Sequence, residues 1–244
     1  MEREKYWLIV IIIFFALTSG GQSQHQLLVY NAYIGSDMTI WKEAVDNMEQ
    51  GKNSDPDYLL ELINYQYGYT AWCLGNDKNK EARKYLLLLE RNLEKLKKTE
   101  EKIAEYHAYK AAFYGFKIGL SPLRAPFFGP KSMDHAKLAL EKDSLSLQGN
   151  MEMGNIWSHM PKLFGGSKQK ALYYYLKALR IIEEKPREIR NKNWIYLNLI
   201  AIIGKTKEEL GNTQEAIEYY KKAIQIEPDF KWVKNELLPS LTTN

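Results

Sequence analysis

One feature narrows the possible folds of this chain more than any other: an apolar residue followed by glycine, then alanines at helical spacing, recurs along it. The clearest copy holds Ile203-Gly204, Gly211, Ala216, Tyr220, Ala223 and Pro228, and a second holds Met153-Gly154, Gly166, Ala171, Tyr175 and Ala178. A third has Tyr67-Gly68, Gly75 and Ala82; the most eroded has Tyr114-Gly115, Ala136 and Ala139. Glycine inside a helix costs about 1 kcal/mol relative to alanine. Its recurrence therefore points to places where two helices cross too closely for a side chain, with the alanines opposite them. Glycine and alanine are 14, 21, 17 and 12 residues apart in chain order, so the first three copies carry 2, 9 and 5 residues more than the last, all in one turn. Insertions at one point of a stacked unit project from one edge. Residues 121–131 and 161–167 are expected to protrude near each other.

Composition supports long helices rather than a turn-rich sandwich, because 17 Tyr and 6 Trp stand against only 15 Gly and 8 Pro in 244 residues. Helices are expected at 38–50, 56–74, 78–98, 100–119, 131–142, 147–160, 167–184, 191–210, 213–226 and 230–237. Pro56 starts one helix, Pro228 ends another, and Pro122, Pro126 and Pro130 hold a loop open. The architecture expected is all-α: a single solenoid of about four hairpins over residues 38–238, without an internal domain boundary. The helix carrying Trp41, Ala44 and Met48 would cover one end, and the one with Phe230, Trp232 and Val233 the other. Residues 24–37 are expected to be irregular and 239–244 a tail.

The N-terminus has its own logic. Tyr6 to Leu17 is an apolar run preceded by Arg3 and Lys5 and followed by small residues, including Ser19, Gly21 and Ser23. That is the anatomy of a signal peptide, and the run is short of the roughly 20 residues a spanning helix needs. Residues 1–23 are thus expected to export the chain to the periplasm or cell surface; Glu2 and Glu4 weaken the basic end and leave an uncleaved anchor as the alternative. Membrane contact is otherwise expected only through a partner.

Chemistry is sparse. A net charge of +4 is far from the dense basic face that nucleic acid requires, and the run Lys95, Lys97, Lys98 and Lys102 is broken by Glu100 and Glu101, as on a solvated helix. Cys73 is the single cysteine, which excludes an internal disulfide. His25, His107, His135 and His159 lack the spacing that sets two metal ligands on one helical face. Gly165-Gly166-Ser167-Lys168 lacks the spacing of a phosphate loop. No enzyme, metal or cofactor is expected.

Residues Trp194 to Asp229, and more loosely Asn150 to Glu184, resemble the tetratricopeptide repeat family, whose unit is about 34 residues. The last copy departs from the pattern at Lys207, where a large apolar residue is usual. The turn Met160-Pro161-Lys162-Leu163-Phe164-Gly165-Gly166 is similar to one in exported bacterial members, including those that accompany periplasmic binding-protein transporters. The resemblance implies a right-handed superhelical solenoid whose first helices line a concave groove for a peptide or other ligand.

On that geometry Tyr65, Tyr69, Trp72, Phe116, Asn155, His159, Asn198 and Lys205 would face the groove; the same aromatics would serve equally as core. In the enlarged turns, Arg124 and Phe127 are candidates for contact, whereas Phe128 and Phe164 are expected to pack back on their own hairpins. The function expected is a non-enzymatic interaction or scaffold module contacting another protein, with a ligand- or substrate-handling accessory of a membrane transporter as the alternative. A deep closed pocket beside Trp72, Phe116 and Trp157 would favour the second, and an open surface the first.

Overall fold

The computed structural model describes residues 23–51 and 53–242, and the signal-type segment expected at residues 1–23 lies almost wholly outside the described residues. The helices are α1 Gln24–Gly35, α2 Met38–Gln50, α3 Pro56–Gly75, α4 Asn79–Lys97, α5 Ile103–Leu120, α6 Ala125–Lys142, α7 Leu147–His159, α8 Lys168–Glu183, the single turn α9 Arg187–Arg190, α10 Trp194–Glu209, α11 Thr213–Ile226 and α12 Leu238–Thr242. Four antiparallel hairpins follow one another (α3/α4, α5/α6, α7/α8 and α10/α11), and each packs on the next, giving an all-α solenoid.

The small-residue logic holds in the last two hairpins. A Cβ added at Gly204 would lie 2.5 Å from Cε1 of Tyr220, and one at Gly154 would overlap the ring of Tyr175. Ala171, Ala178, Ala216 and Ala223 are fully buried beside these crossings. A Gly204→Leu variant is expected to lose roughly 1 to 3 kcal/mol or more, because the Tyr220 ring has nowhere to retreat; an unchanged melting temperature would show that the crossing tolerates bulk. Lys207, the departure from the repeat pattern, buries its stem and turns its ammonium to Glu215 and over the Tyr219 ring.

In the first two hairpins the expectation needs correction. Gly68 faces away from its own partner helix: a Cβ there would meet Trp41 at 2.5 Å and Trp194 at 2.9 Å. Gly115 is exposed, and a Cβ added there would meet nothing. The close approach in the second hairpin lies one turn earlier, at Ala111, whose carbonyl accepts the Ser132 hydroxyl at 2.9 Å.

Several boundaries also moved, each for a local reason. Residues 24–37 are not irregular. Ser23 caps α1 by accepting from the Gln26 N–H, and Val29, Tyr30 and Ala32 are buried. Hydrophobic residues fall on more than one side of α1, so helical periodicity is hidden in the sequence. Residues 122–131 are not an open loop: Pro122 begins a single 3-10 turn, Pro126 sits in the first turn of α6 where no N–H is required, and Pro130 is accommodated within the helix. Positive φ at Glu100 and Lys192 delays the starts of α5 and α10. The expected tail is helical through Thr242.

The end covers also differ from the expectation. Trp41, Met48, Phe230 and Val233 are buried as expected, but the two ends of the array meet. Helix α1 reaches the last hairpin: Tyr33 lies 5.7 Å from Trp194 and 5.1 Å from Phe230, its hydroxyl donates to Asn198 Oδ1 at 3.0 Å, and Tyr30 donates to Glu227 at 2.8 Å. The solenoid is rolled up on its own N-terminal helix.

Candidate functional site

The first helices of the hairpins turn an unusual mixture of rings and amides toward the centre. On α3, Asn64 donates to the Tyr109 hydroxyl at 2.7 Å and accepts from the Trp194 indole at 2.8 Å, so one amide ties the first, second and fourth hairpins. Trp194 packs edge-on against Trp41 at 4.9 Å and near Tyr67 at 6.4 Å, and Tyr67 also meets Tyr109 and Phe116. Asn155 of α7 receives the Tyr175 hydroxyl at 2.8 Å and donates to Tyr67 and to Glu152, each at 3.2 Å.

Glu152 is the most perturbed acid of this network. Burial pushes its carboxyl from the ordinary 4.5 to about 7, against the opposing pull of hydrogen bonds from Tyr67, Asn155 and Gln148, the last at 2.7 Å. Its neighbours are hydrogen-bonding amides and a phenol rather than a nucleophile or base, so the arrangement knits helices together. It offers no acid–base pair for catalysis.

Most of the expected groove is therefore core. Tyr65 and Tyr69 are buried; their hydroxyls donate to Glu61 and Glu81 at 2.7 and 2.9 Å, and Tyr69 packs on Tyr85 at 4.7 Å. They cannot face a ligand as the sequence suggested, because the helix face they occupy is the one the neighbouring helices cover. Phe116, Asn155 and Asn198 are half-buried, and both amides are engaged within the protein. His159 and Lys205 remain exposed. Trp72 is half-buried under Lys78, whose ammonium sits 4.4 Å above the ring.

Among the described residues, shallow open clefts lie on the outer surface, two of them beside tryptophans. One, of about 340 Å³, lies beside Trp72 and is lined mainly by polar groups, among them Asp37, Thr39, Lys42 and Glu81. The other, of about 420 Å³, lies on the third hairpin between Trp157, Gln169, Lys170, Tyr173 and Tyr174. There Lys170 stands 4.2 Å over the Trp157 ring, and the indole N–H of Trp157 has no acceptor among the described residues. Sequence reasoning names Trp157 but misses the cleft, which three adjacent tyrosines build: Tyr175 is buried, Tyr174 is half-buried against the Ala111, Ala136 and Met153 cluster, and Tyr173 is exposed.

The enlarged turns behave unequally. Phe128 is buried as expected and stacks on Tyr114. Phe164 does not pack back: it is 71% exposed, as is Phe127 at 62%, with Arg124 exposed beside it. The single-turn helix Lys162–Phe164 ends in Gly165 at φ +91°, and Gly166 approaches the Met160 carbonyl too closely for any Cβ, so the turn directs Phe164 outward.

Histidines that are distant in sequence meet here. His107 and His135 share a hydrogen bond between their Nδ1 atoms at 2.8 Å across α5 and α6, and desolvation lowers both pKa values, that of His135 to about 4. Among the described residues no three His, Cys, Asp or Glu side chains gather as a metal would need. Cys73 is buried, and desolvation raises its thiol to about 11, the condition of an inert space-filling sulfur. Among the described residues no helix is long and apolar enough to cross a membrane.

Fold and surface together define a helical-repeat protein: stacked hairpins, a sealed inner network and open clefts on the outside. Residues 197–230 match the family model for the tetratricopeptide repeat, so the last hairpin is such a repeat. Among solved structures, the HusA haemophore from Porphyromonas gingivalis is similar, with a TM-score of 0.59 and 17% identity over 78% of this chain and 96% of that one. At that identity the likeness is one of fold. None of the curated proteins matches the chain.

Proposed function

We propose that this chain is a non-enzymatic interaction module acting outside the cytoplasm, a scaffold that presents the cleft of its third hairpin to another protein. The observation that supports this reading best is the contrast between a filled centre and an open cleft of about 420 Å³ whose walls are Trp157, Tyr173 and Tyr174. Trp and Tyr are among the residue types enriched at energetically dominant interface positions. Lys170, over the Trp157 ring at the cleft, suits a carboxylate. The tetratricopeptide repeat favours a binding module, and the signal-type run Tyr6 to Leu17 favours export.

The test is a photo-crosslinking residue at Tyr173 in the exported chain, irradiated in its native envelope. The expected result is one discrete protein adduct that Lys170→Glu weakens at least tenfold; labelling no stronger than from exposed Lys221 would refute the reading.

A second reading, a ligand-handling accessory associated with a membrane transporter, has one observation in its favour: the fold likeness to a haemophore. The same ring-lined cleft would hold a flat ligand. Titration with haemin, followed in the Soret region, is expected on this reading to saturate at one equivalent and to fail in Tyr173→Ala.

A further inference from the structure

Two turns outside the cleft carry a different signal. Pro122-Leu123-Arg124 and Pro161-Lys162-Leu163-Phe164 occupy the same place in consecutive hairpins, and each contains a single 3-10 turn that lifts a leucine clear of the protein: Leu123 is 95% and Leu163 89% exposed. Phe127 and Phe164 stand beside them. Equivalent turns of consecutive hairpins fall on one edge of a stacked array, and exposed apolar side chains on such an edge mark a contact surface.

Charge says what kind. Neither residues 106–133 nor residues 153–182 contain an Asp or Glu, although the chain has 30. The same stretches carry Arg124, Lys131 and Lys162 at the tips, and Lys131 lies 3.9 Å over the Phe127 ring. Protruding leucines and phenylalanines need a soft apolar layer, and the cations level with them need anionic groups at its border. A lipid surface supplies both: apolar side chains enter the boundary between headgroups and acyl chains while Lys and Arg stay with the phosphates.

We propose that the edge formed by these two turns docks the folded protein on an anionic membrane surface. This goes beyond the partner cleft and uses other residues, so either reading can fail alone. It also departs from the expectation that only the N-terminus or a partner meets the membrane.

The test uses the full chain with Leu163→Cys labelled by the environment-sensitive dye NBD, which Cys73 escapes because its thiol is buried. Vesicles of phosphatidylglycerol mixed with phosphatidylcholine are expected to shift the emission to the blue and raise it several-fold. The same dye at Lys221→Cys, on the far end of the array, should not respond, which separates tip insertion from attachment through residues 6–17. Pairing Arg124→Glu with Lys162→Glu should weaken the response roughly tenfold or more. An unchanged Leu163 signal with these vesicles overturns the proposal, as does an undiminished one in the charge-reversed chain. A response to soluble polyglutamate equal to that with vesicles also overturns it, and would reassign the edge to an acidic protein.

Discussion

Replacing Glu152 by glutamine is expected to flatten the upper limb of this protein's stability against pH and to make it more stable above neutrality. The carboxyl of Glu152 titrates near 7 in the folded chain and near 4.5 once unfolded. Below about pH 4.5 both states hold the proton and the group contributes no difference. Between 4.5 and 7 the unfolded chain releases its proton while the folded one keeps it, so stability falls as pH rises. Above 7 the folded protein must carry a buried charge, and the full loss is in place: about 3 kcal/mol for a shift of this size.

Glutamine keeps an oxygen to accept from Gln148 and Asn155 and removes the charge. Urea unfolding at pH 5 and pH 8 should therefore differ less in Glu152→Gln than in the parent by about that amount. The comparison has to be between variant and parent. His135 and His107, held below their ordinary pKa, act with the opposite sign: their contribution is intact above about 6.5 and is lost as pH falls toward 4. An identical pH dependence in both chains would show that the Glu152 carboxylate is compensated in a way the hydrogen bonds do not reveal.

Trp194→Ala is expected to be the most destabilising single truncation of a ring. The Trp194 side chain sits between Trp41, Tyr33 and Tyr67, donates to Asn64, and fills the space that Gly68 leaves open. Emptying such a site costs about 3 to 5 kcal/mol, which for a domain of this size lowers the melting temperature on the order of 10 °C. The loss also has a direction. Helix α1 meets the last hairpin largely through Tyr33, so amide exchange should rise in residues 24–35 more than in α4 or α8. Trp72→Ala, at a half-buried ring outside the central cluster, provides the contrast, with a loss below about half of that. A uniform rise in exchange throughout the chain would mean that Trp194 supports the whole array without specifically closing it.

How far these features can be read in advance depends on how local their causes are. The hairpins were legible because Gly154 with Tyr175 and Gly204 with Tyr220 are contacts within one unit, separated by a turn, and a repeat pattern records such contacts directly. Helix α2 and helix α11 were found to the residue because each is amphipathic on a single face. Gly68 matched the same pattern for another reason: its missing side chain serves two tryptophans from elsewhere in the chain, and spacing cannot tell these uses apart. Helix α1 escaped notice because it is covered on more than one side.

The candidate surfaces divide in the same way. Arg124 and Phe127 are exposed where the turn pattern put them, while Tyr65 and Tyr69 are buried, because a groove position is defined only relative to what lies across the groove. Phe164 points outward because Gly165 and Gly166 shape its turn, a backbone effect that the near-repeat with Phe128 concealed.

What the amino-acid sequence determined alone was the hairpin, its repetition and the turns that interrupt it, since these follow from helical periodicity, small residues and breakers acting over a few tens of residues. Only the tertiary structure decided that the ends of the array meet, that an inner network with Glu152 fills the centre, and that the open surface lies outside. Those outcomes rest on contacts such as Tyr33 with Asn198 and Trp194 with Asn64, between residues more than a hundred positions apart. Such pairs leave no spacing signature, because their geometry is the summed result of every hairpin rotating a little on the one before.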